Sequence, residues 1–200
     1  MADIDYKSEN YWTEKAKREG YPARSVYKLE ELQKQYNIIP KKGIVLDVGA
    51  APGSWTLFVS KKILKGEGKV VAVDLKPLSL SPLPSNVQEF TGDAFSEAVL
   101  PELKSFGEYD AIISDAAPST TGNRGVDTAR SSALVLNVIA LASECLKKGS
   151  SMCVKIFQGE DFELCVKQMR CIFTKVVIHK PKACRSSSFE TYLIGISKKL

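Results

Sequence analysis

The stretch IVLDVGAAPGSW, Ile44–Trp55, decides how this 200-residue chain is read. An apolar run ends in an acid, Asp47, and passes at once into a turn containing Gly49 and Gly53. A second apolar run, KVVAVDL at Lys69–Leu75, ends in another acid, Asp74. Parallel α/β domains build nucleoside pockets in this way. One strand delivers a tight, side-chain-poor turn, and its neighbour delivers a carboxylate for ribose hydroxyls.

Strand-like and helix-like segments alternate outward from that point. Before it, Tyr6–Glu19 reads as a polar helix or arm, and Ser25–Gln35 as a helix with Val26, Leu29 and Leu32 on one face and Ser25 as N-cap. After it, Trp55–Leu64 is expected to be a helix. Lys76–Asn86, with three prolines, reads as a loop, Val87–Phe90 as a short strand and Phe95–Phe106 as helical. Tyr109–Ser114 is a buried-strand run that ends at Asp115. Gly125–Leu146 reads as a long helix closed by Lys147-Lys148-Gly149. Ser151–Phe157, Lys175–His179 and Thr191–Ser197 read as strands, with a helix over Asp161–Phe173. No helix separates the last two strands, which therefore pair antiparallel. The expected fold is a single doubly wound, Rossmann-like α/β sheet, mostly parallel with one antiparallel strand near the C-terminus. It occupies 1–200 as one domain, with 1–40 a basic helical extension.

Composition narrows the classes. Hydrophobic residues make up 44% and charged residues 26%, which fits a globular chain rather than a disordered one. No apolar run is long enough for a membrane helix, and the polar, acid-bearing start MADIDYKSENYW resembles no targeting peptide. Five cysteines without a CxxC pair and one histidine argue against a metal site and for reduced thiols in the cytoplasm. The net charge of +5 is compatible with a polyanionic partner. Lys7, Lys15, Lys17, Arg18 and Arg24, with the Lys180–Arg185 loop, are the candidate phosphate contacts.

The turn chemistry selects among nucleosides. In Gly49–Trp55, Ala51 stands where a dinucleotide fingerprint needs its second glycine, Pro52 stiffens the turn and Trp55 opens the helix, so a pyrophosphate fits poorly. Asp47 repels a phosphate and favours the ammonium of an amino-acid moiety. S-adenosyl-L-methionine, cationic and phosphate-free, suits these residues, with Asp74 on the ribose and Asp93 reaching the adenine.

Four more charged residues flank apolar segments: Lys28, Asp115, Lys155 and Glu190. A lysine inside the strand run MCVKIF is costly unless paired. With these residues in view, the chain resembles the FtsJ/RrmJ family of ribose 2′-O-methyltransferases from about Ser8 onward. The stretches that carry the resemblance are SVYKLEEL, LDVGAAPGSW, VVAVDLKP, TGDAF, IISDAAPSTTG, VDTAR, VKIFQGEDFE, IFTKV and ETYLIG. The resemblance implies a catalytic tetrad of Lys28, Asp115, Lys155 and Glu190. It also implies cofactor contacts at Gly53, Trp55, Asp74, Asp93 and Asp115, and an RNA acceptor. Departures are Ser54 for a second glycine, Ser119–Gly122 for Asn-Met-Ser-Gly, and fewer arginines before Glu190.

Lys155 is expected to take the proton of a ribose 2′-hydroxyl or to orient its lone pair, its basicity tuned by Lys28 and by burial. The resemblance, which is to the bacterial members of the family, implies as acceptor a uridine of large-subunit ribosomal RNA, free or within the subunit, and a monomer is expected. A transfer-RNA ribose and a non-catalytic RNA-binding module are the alternatives. An amino-group methyltransferase would need an aromatic after Asp115-Ala116-Ala117-Pro118, a cytosine C5 enzyme a cysteine nucleophile in that region, and a dehydrogenase a different turn.

Overall fold

The computed structural model describes residues 2–185 and 187–199, and side chains from Asn10 on. Seven strands form one sheet: β1 (Gly43–Val48), β2 (Gly68–Asp74), β3 (Val87–Thr91), β4 (Tyr109–Ser114), β5 (Leu146–Phe157), β6 (Phe173–His179) and β7 (Glu190–Lys198). Their order is β3-β2-β1-β4-β5-β7-β6, and only β7 runs against its neighbours. The chain winds outward from β1 in one direction and from β4 in the other. The β1–β4 boundary is therefore the switch point at which open α/β sheets place their sites.

Strand alternation splits the core into two layers. Leu46, Val71, Ile112, Val154 and Ile156 face α5 (Arg124–Cys145) and α6 (Phe162–Ile172). Val45, Val70, Ala111, Cys153 and Tyr192 face α2 (Val26–Tyr36) and α3 (Ser54–Phe58). The expected stripe of α2 is the buried one: Val26, Leu29 and Leu32 lie in that second layer, each worth about 1.5–3 kcal/mol of burial. Ahead of it, α1 (Ala2–Arg18) inserts Ala16 and stacks Trp12 on Tyr27 at 5.0 Å.

Several local expectations are corrected. Ser25 occupies the N-cap position of α2 but makes no capping bond; its carbonyl accepts instead from the Trp55 indole at 2.8 Å. The helix expected over Trp55–Leu64 becomes α3 followed by a π-helical turn, Val59–Ile63, where Ser60 leans out to donate to Asn86 at 2.6 Å. Of Phe95–Phe106 only α4 (Leu100–Ser105) is helical, because Asp93 and Ser96 satisfy the preceding backbone in a local turn. Lys147–Gly149 is not a helix terminus. It is the start of β5, with Lys147 on Asp110 at 2.7 Å. The last carbonyls of α5 are met from β7, where Lys198 donates to Ser143 and Leu146 at 2.6 Å each.

Candidate active site

Register brings the charged residues together. Val48 of β1 lies beside Ser114 of β4, and Ser114 beside Val154 of β5, so the first glycine turn, Asp115 and Lys155 emerge at one sheet edge. On the other side of β5, Lys155 faces Tyr192 and Phe157 faces Glu190 in the antiparallel ladder with β7. All four share the face covered by α2, from which Lys28 descends.

Two ion pairs result. Lys28 meets Glu190 at 2.6 Å and Lys155 meets Asp115 at 3.1 Å, every side chain less than a fifth exposed. Lys155 also donates to the Asp115 carbonyl, and the Tyr192 hydroxyl donates to the Asp115 carboxylate at 2.6 Å. The expected tetrad is thus assembled, and Tyr192 joins it. Its place two residues beyond Glu190 on one strand was the available signal.

The charges stabilise one another. Burial alone would push the Asp115 carboxyl up, but Lys155, Lys28 and the Tyr192 hydroxyl hold it below its ordinary value. Glu190 follows the same pattern, with burial opposed by Lys28 and by a bond from the Cys184 thiol. Burial works to lower the Lys28 ammonium, yet Asp115 and Glu190 outweigh it and raise it. Tyr192, buried among carboxylates, is raised well above its ordinary value and stays a donor. Burial and the bond to Glu190 push the Cys184 thiol up to about 12.

Next to this cluster is a recess lined by Ser25, Gly49, Ala50, Pro52, Trp55 and Asp115, among others. Its wall is fixed by the chain itself. At Gly49 (φ +76°) a Cβ would fall 2.6 Å from the Ala116 Cα, and at Gly53 (φ +110°) 2.7 Å from Leu80. The glycines expected to admit a ligand are thus required first by packing. Trp55 is 2% exposed, stacked at 5.9 Å on Tyr192, and Ser54 accepts from the Ala23 amide at 2.7 Å.

The remaining acids divide. Asp74 accepts from the Ala51 and Lys76 amides, and Asp93 from the Phe95 amide. Asp74 ends β2 and Asp93 lies two residues beyond the end of β3, at the same sheet edge, and both remain accessible. Turn formation and ligand contact are compatible at these positions. Asp47 differs from expectation. It is fully buried beneath the turn and accepts from the Thr56 hydroxyl at 2.6 Å. Its other oxygen has no partner, and it does not line the recess. Burial raises its carboxyl to about 7, although Thr56 opposes this, and Asp115 and Asp74 add to it. Three carboxylates within electrostatic reach of one turn suit a cationic nucleoside and not a pyrophosphate.

The candidate phosphate contacts are mixed. Lys15 lies 4.2 Å over the Tyr27 ring and 3.9 Å from Glu19, and Lys17 pairs with Glu14 at 3.3 Å. Lys180 donates to the Ser188 carbonyl. The Lys7 side chain lies outside those described.

The chain is similar to known proteins along its whole length. A relative from Treponema denticola named Ribosomal RNA large subunit methyltransferase E is 52% identical over 199 residues and covers 100% of both chains. One of the same name from Desulforapulum autotrophicum is 44% identical over 95% of this chain and 93% of its own. The crystal structure of a ribosomal RNA methyltransferase from Plasmodium falciparum superposes with a TM-score of 0.78 at 27% identity, covering 89% of this chain and 98% of its own. The family model of FtsJ-like methyltransferases matches residues 21–198, and the chain belongs to that family.

Proposed function

We propose that the protein transfers a methyl group from S-adenosyl-L-methionine to a ribose 2′-hydroxyl of RNA, a uridine of large-subunit ribosomal RNA. The observation that carries this reading is the buried quartet of Lys28, Asp115, Lys155 and Glu190 beside the Gly49–Trp55 turn. The names of the relatives support ribosomal RNA as the acceptor. Cytoplasmic action as a monomer, on free RNA or on an assembled subunit, completes the proposal.

When bound, the cofactor supplies an electrophilic methyl on a cationic sulfur. Asp74 would hold its ribose and Asp93 its adenine, and the recess residues, Trp55 and Asp115 among them, would hold its methionine end. Asp47 lies beneath the turn and, with its carboxyl raised to about 7, would offer the ammonium a charge only above that pH. Across the recess, Lys155 is the group that meets the 2′-hydroxyl. It takes the proton, or it donates a hydrogen bond to the hydroxyl oxygen that leaves a lone pair turned toward the methyl. Asp115 fixes Lys155 from one side through both its carboxylate and its carbonyl. Lys28 and Glu190 close the other side, where an ammonium and a carboxylate hold the ribose hydroxyls by charge-assisted bonds. Alignment of oxygen, methyl and sulfur within this rigid frame supplies much of the acceleration.

The test is a transfer assay with methyl-labelled cofactor on ribosomal RNA lacking the modification. Label in a 2′-O-methylated nucleotide supports the reading. Label in transfer RNA alone moves the acceptor, and cofactor binding without transfer to any RNA leaves a binding module.

A further inference from the structure

One group beside the quartet is not used by this mechanism. Phe189 directly precedes Glu190, and its ring meets Phe157 edge-on at 4.9 Å between centroids. The Arg124 guanidinium lies 5.4 Å from the centre of the same ring. Phe157 faces Glu190 in the ladder and lies two residues beyond Lys155, so it belongs to the catalytic face. The Phe189 carbonyl accepts from the Gln158 amide at 3.0 Å, which ties this wall to the end of β5.

Three observations point outward from this stack. Phe189 is half-buried, whereas Trp55 and Tyr192, the other rings at the site, are enclosed and engaged in the protein's own bonds. Arg124 is exposed and makes no ion pair among the described residues. It is also the first residue of α5, a helix of 22 residues, and a cation at a helix N-terminus opposes the helix dipole. Arg124 therefore does not serve the stability of its own helix. A guanidinium over an aromatic ring, 5.4 Å from its centre and beside a ribose site, has the chemistry of a base-stacking platform, since RNA-binding proteins hold unpaired bases on aromatic rings and guanidinium planes.

The chemistry of the acceptor places a base at this position. The 2′-hydroxyl and the base are carried by adjacent ribose carbons, so a hydroxyl presented to Lys155 brings its own base within one side chain's reach of the quartet. A nucleotide in a stacked helix cannot enter a buried site; it has to be turned out, and its base then needs a new stacking partner. We infer that Arg124, supported on Phe189 and Phe157, forms the wall against which the base of the acceptor nucleotide stacks. This rests on the reading of the site as a ribose methyltransferase. Arg124 and Phe189 are positioning residues for the acceptor, not catalytic ones.

Steady-state transfer to ribosomal RNA, with separate titration of the cofactor, tests the wall. Phe189→Ala is expected to raise the KM for RNA by about five- to a hundredfold, with a smaller effect on kcat and none on cofactor affinity. Phe189→Tyr should restore the wild-type KM and Phe189→Leu should not, because leucine keeps the packing on Phe157 but has no π face. Arg124→Lys should behave like Arg124→Ala, since the plane and not the charge is needed. Leucine or lysine variants equal to wild type would overturn the inference, as would an effect confined to cofactor affinity. Should Phe189→Ala fail to fold, the tyrosine–leucine pair and the Arg124 variants decide alone. A wild-type protein that methylates no ribose would remove the underlying reading instead; an active wild type matched by Phe189→Leu removes only the wall.

Discussion

Gly49–Trp55 is one continuous segment, held by close approach to Ala116 and Leu80 and by hydrogen bonds of its backbone and of Ser54, whereas Lys28, Asp115, Lys155 and Glu190 come from four distant elements and are held by ion pairs. The donor side is thus part of the packing of the fold, and the acceptor side is a set of groups that the finished fold brings together. Substitutions on the first side should be read mainly as stability and those on the second mainly as chemistry, with intermediate cases marking where the division fails.

The largest effect is expected at Lys155. Lys155→Ala should lower single-turnover methyl transfer by about 10²–10⁴-fold while cofactor titration changes little. A comparable loss of cofactor affinity would show that the two sides are not separable. Next is Lys28→Met, which leaves Glu190 buried without its cation and should cost about 3 kcal/mol near neutral pH in urea unfolding, besides lowering activity. Its pH dependence follows from the directions of the shifts. Glu190 is held below its ordinary 4.5, so its contribution is present above that value and is lost as pH falls through the lower folded value. Lys28 is raised above 10.5, so its contribution is full below that value and fades as pH rises past the folded one. The gap between wild type and variant should therefore be widest from about pH 5 to 10 and close in acid.

Gly49→Ala should destabilise by about 3 kcal/mol, since the new methyl meets the backbone of Ala116 at a positive φ. Gly53→Ala should cost less, because the neighbour it meets is the movable end of Leu80. The smallest effect is expected at Asp47, which belongs by sequence to the donor turn but is governed by charge. Its folded value of about 7 lies above the ordinary 3.8, so the native state keeps a proton that the unfolded chain releases, and stability falls as pH rises between the two. Asp47→Asn should remove that slope and gain about 1–2 kcal/mol at pH 8, with no gain at pH 4, in thermal unfolding across pH.

The same division governs what the sequence discloses. The strands around Ile44–Val48, Lys69–Asp74 and Tyr109–Ser114 are legible because short apolar runs between turn residues have few other uses, and the reversed last strand follows from the missing helix before it. The end of α5 is not legible: Lys147-Lys148-Gly149 has the composition of a helix terminus, but Lys198, half a hundred residues away, meets the carbonyls of Ser143 and Leu146, and the segment lies at a shift of register between Tyr109–Leu146 and Ala111–Ser151. Ser25 fails as a cap because its own backbone is already helical (φ −58°, ψ −20°), whereas a capping side chain needs an extended backbone to reach the next amides. The four charged residues stand out because they flank or interrupt apolar segments, and the family resemblance groups them as a tetrad. Tyr192 offers only its spacing of two from Glu190, and Cys184 in its loop offers no signal, until register and burial place them on Asp115 and Glu190.

The central claim is that the charged side of this site directs a methyl group to a ribose oxygen. It is tested most directly by nucleoside analysis of ribosomal RNA after reaction with methyl-labelled S-adenosylmethionine, with wild type and Lys155→Ala side by side. Label should appear in 2′-O-methyluridine with the wild type and be reduced about a hundredfold or more with the variant. Label in a base-methylated nucleoside, or equal label with both proteins, would contradict it.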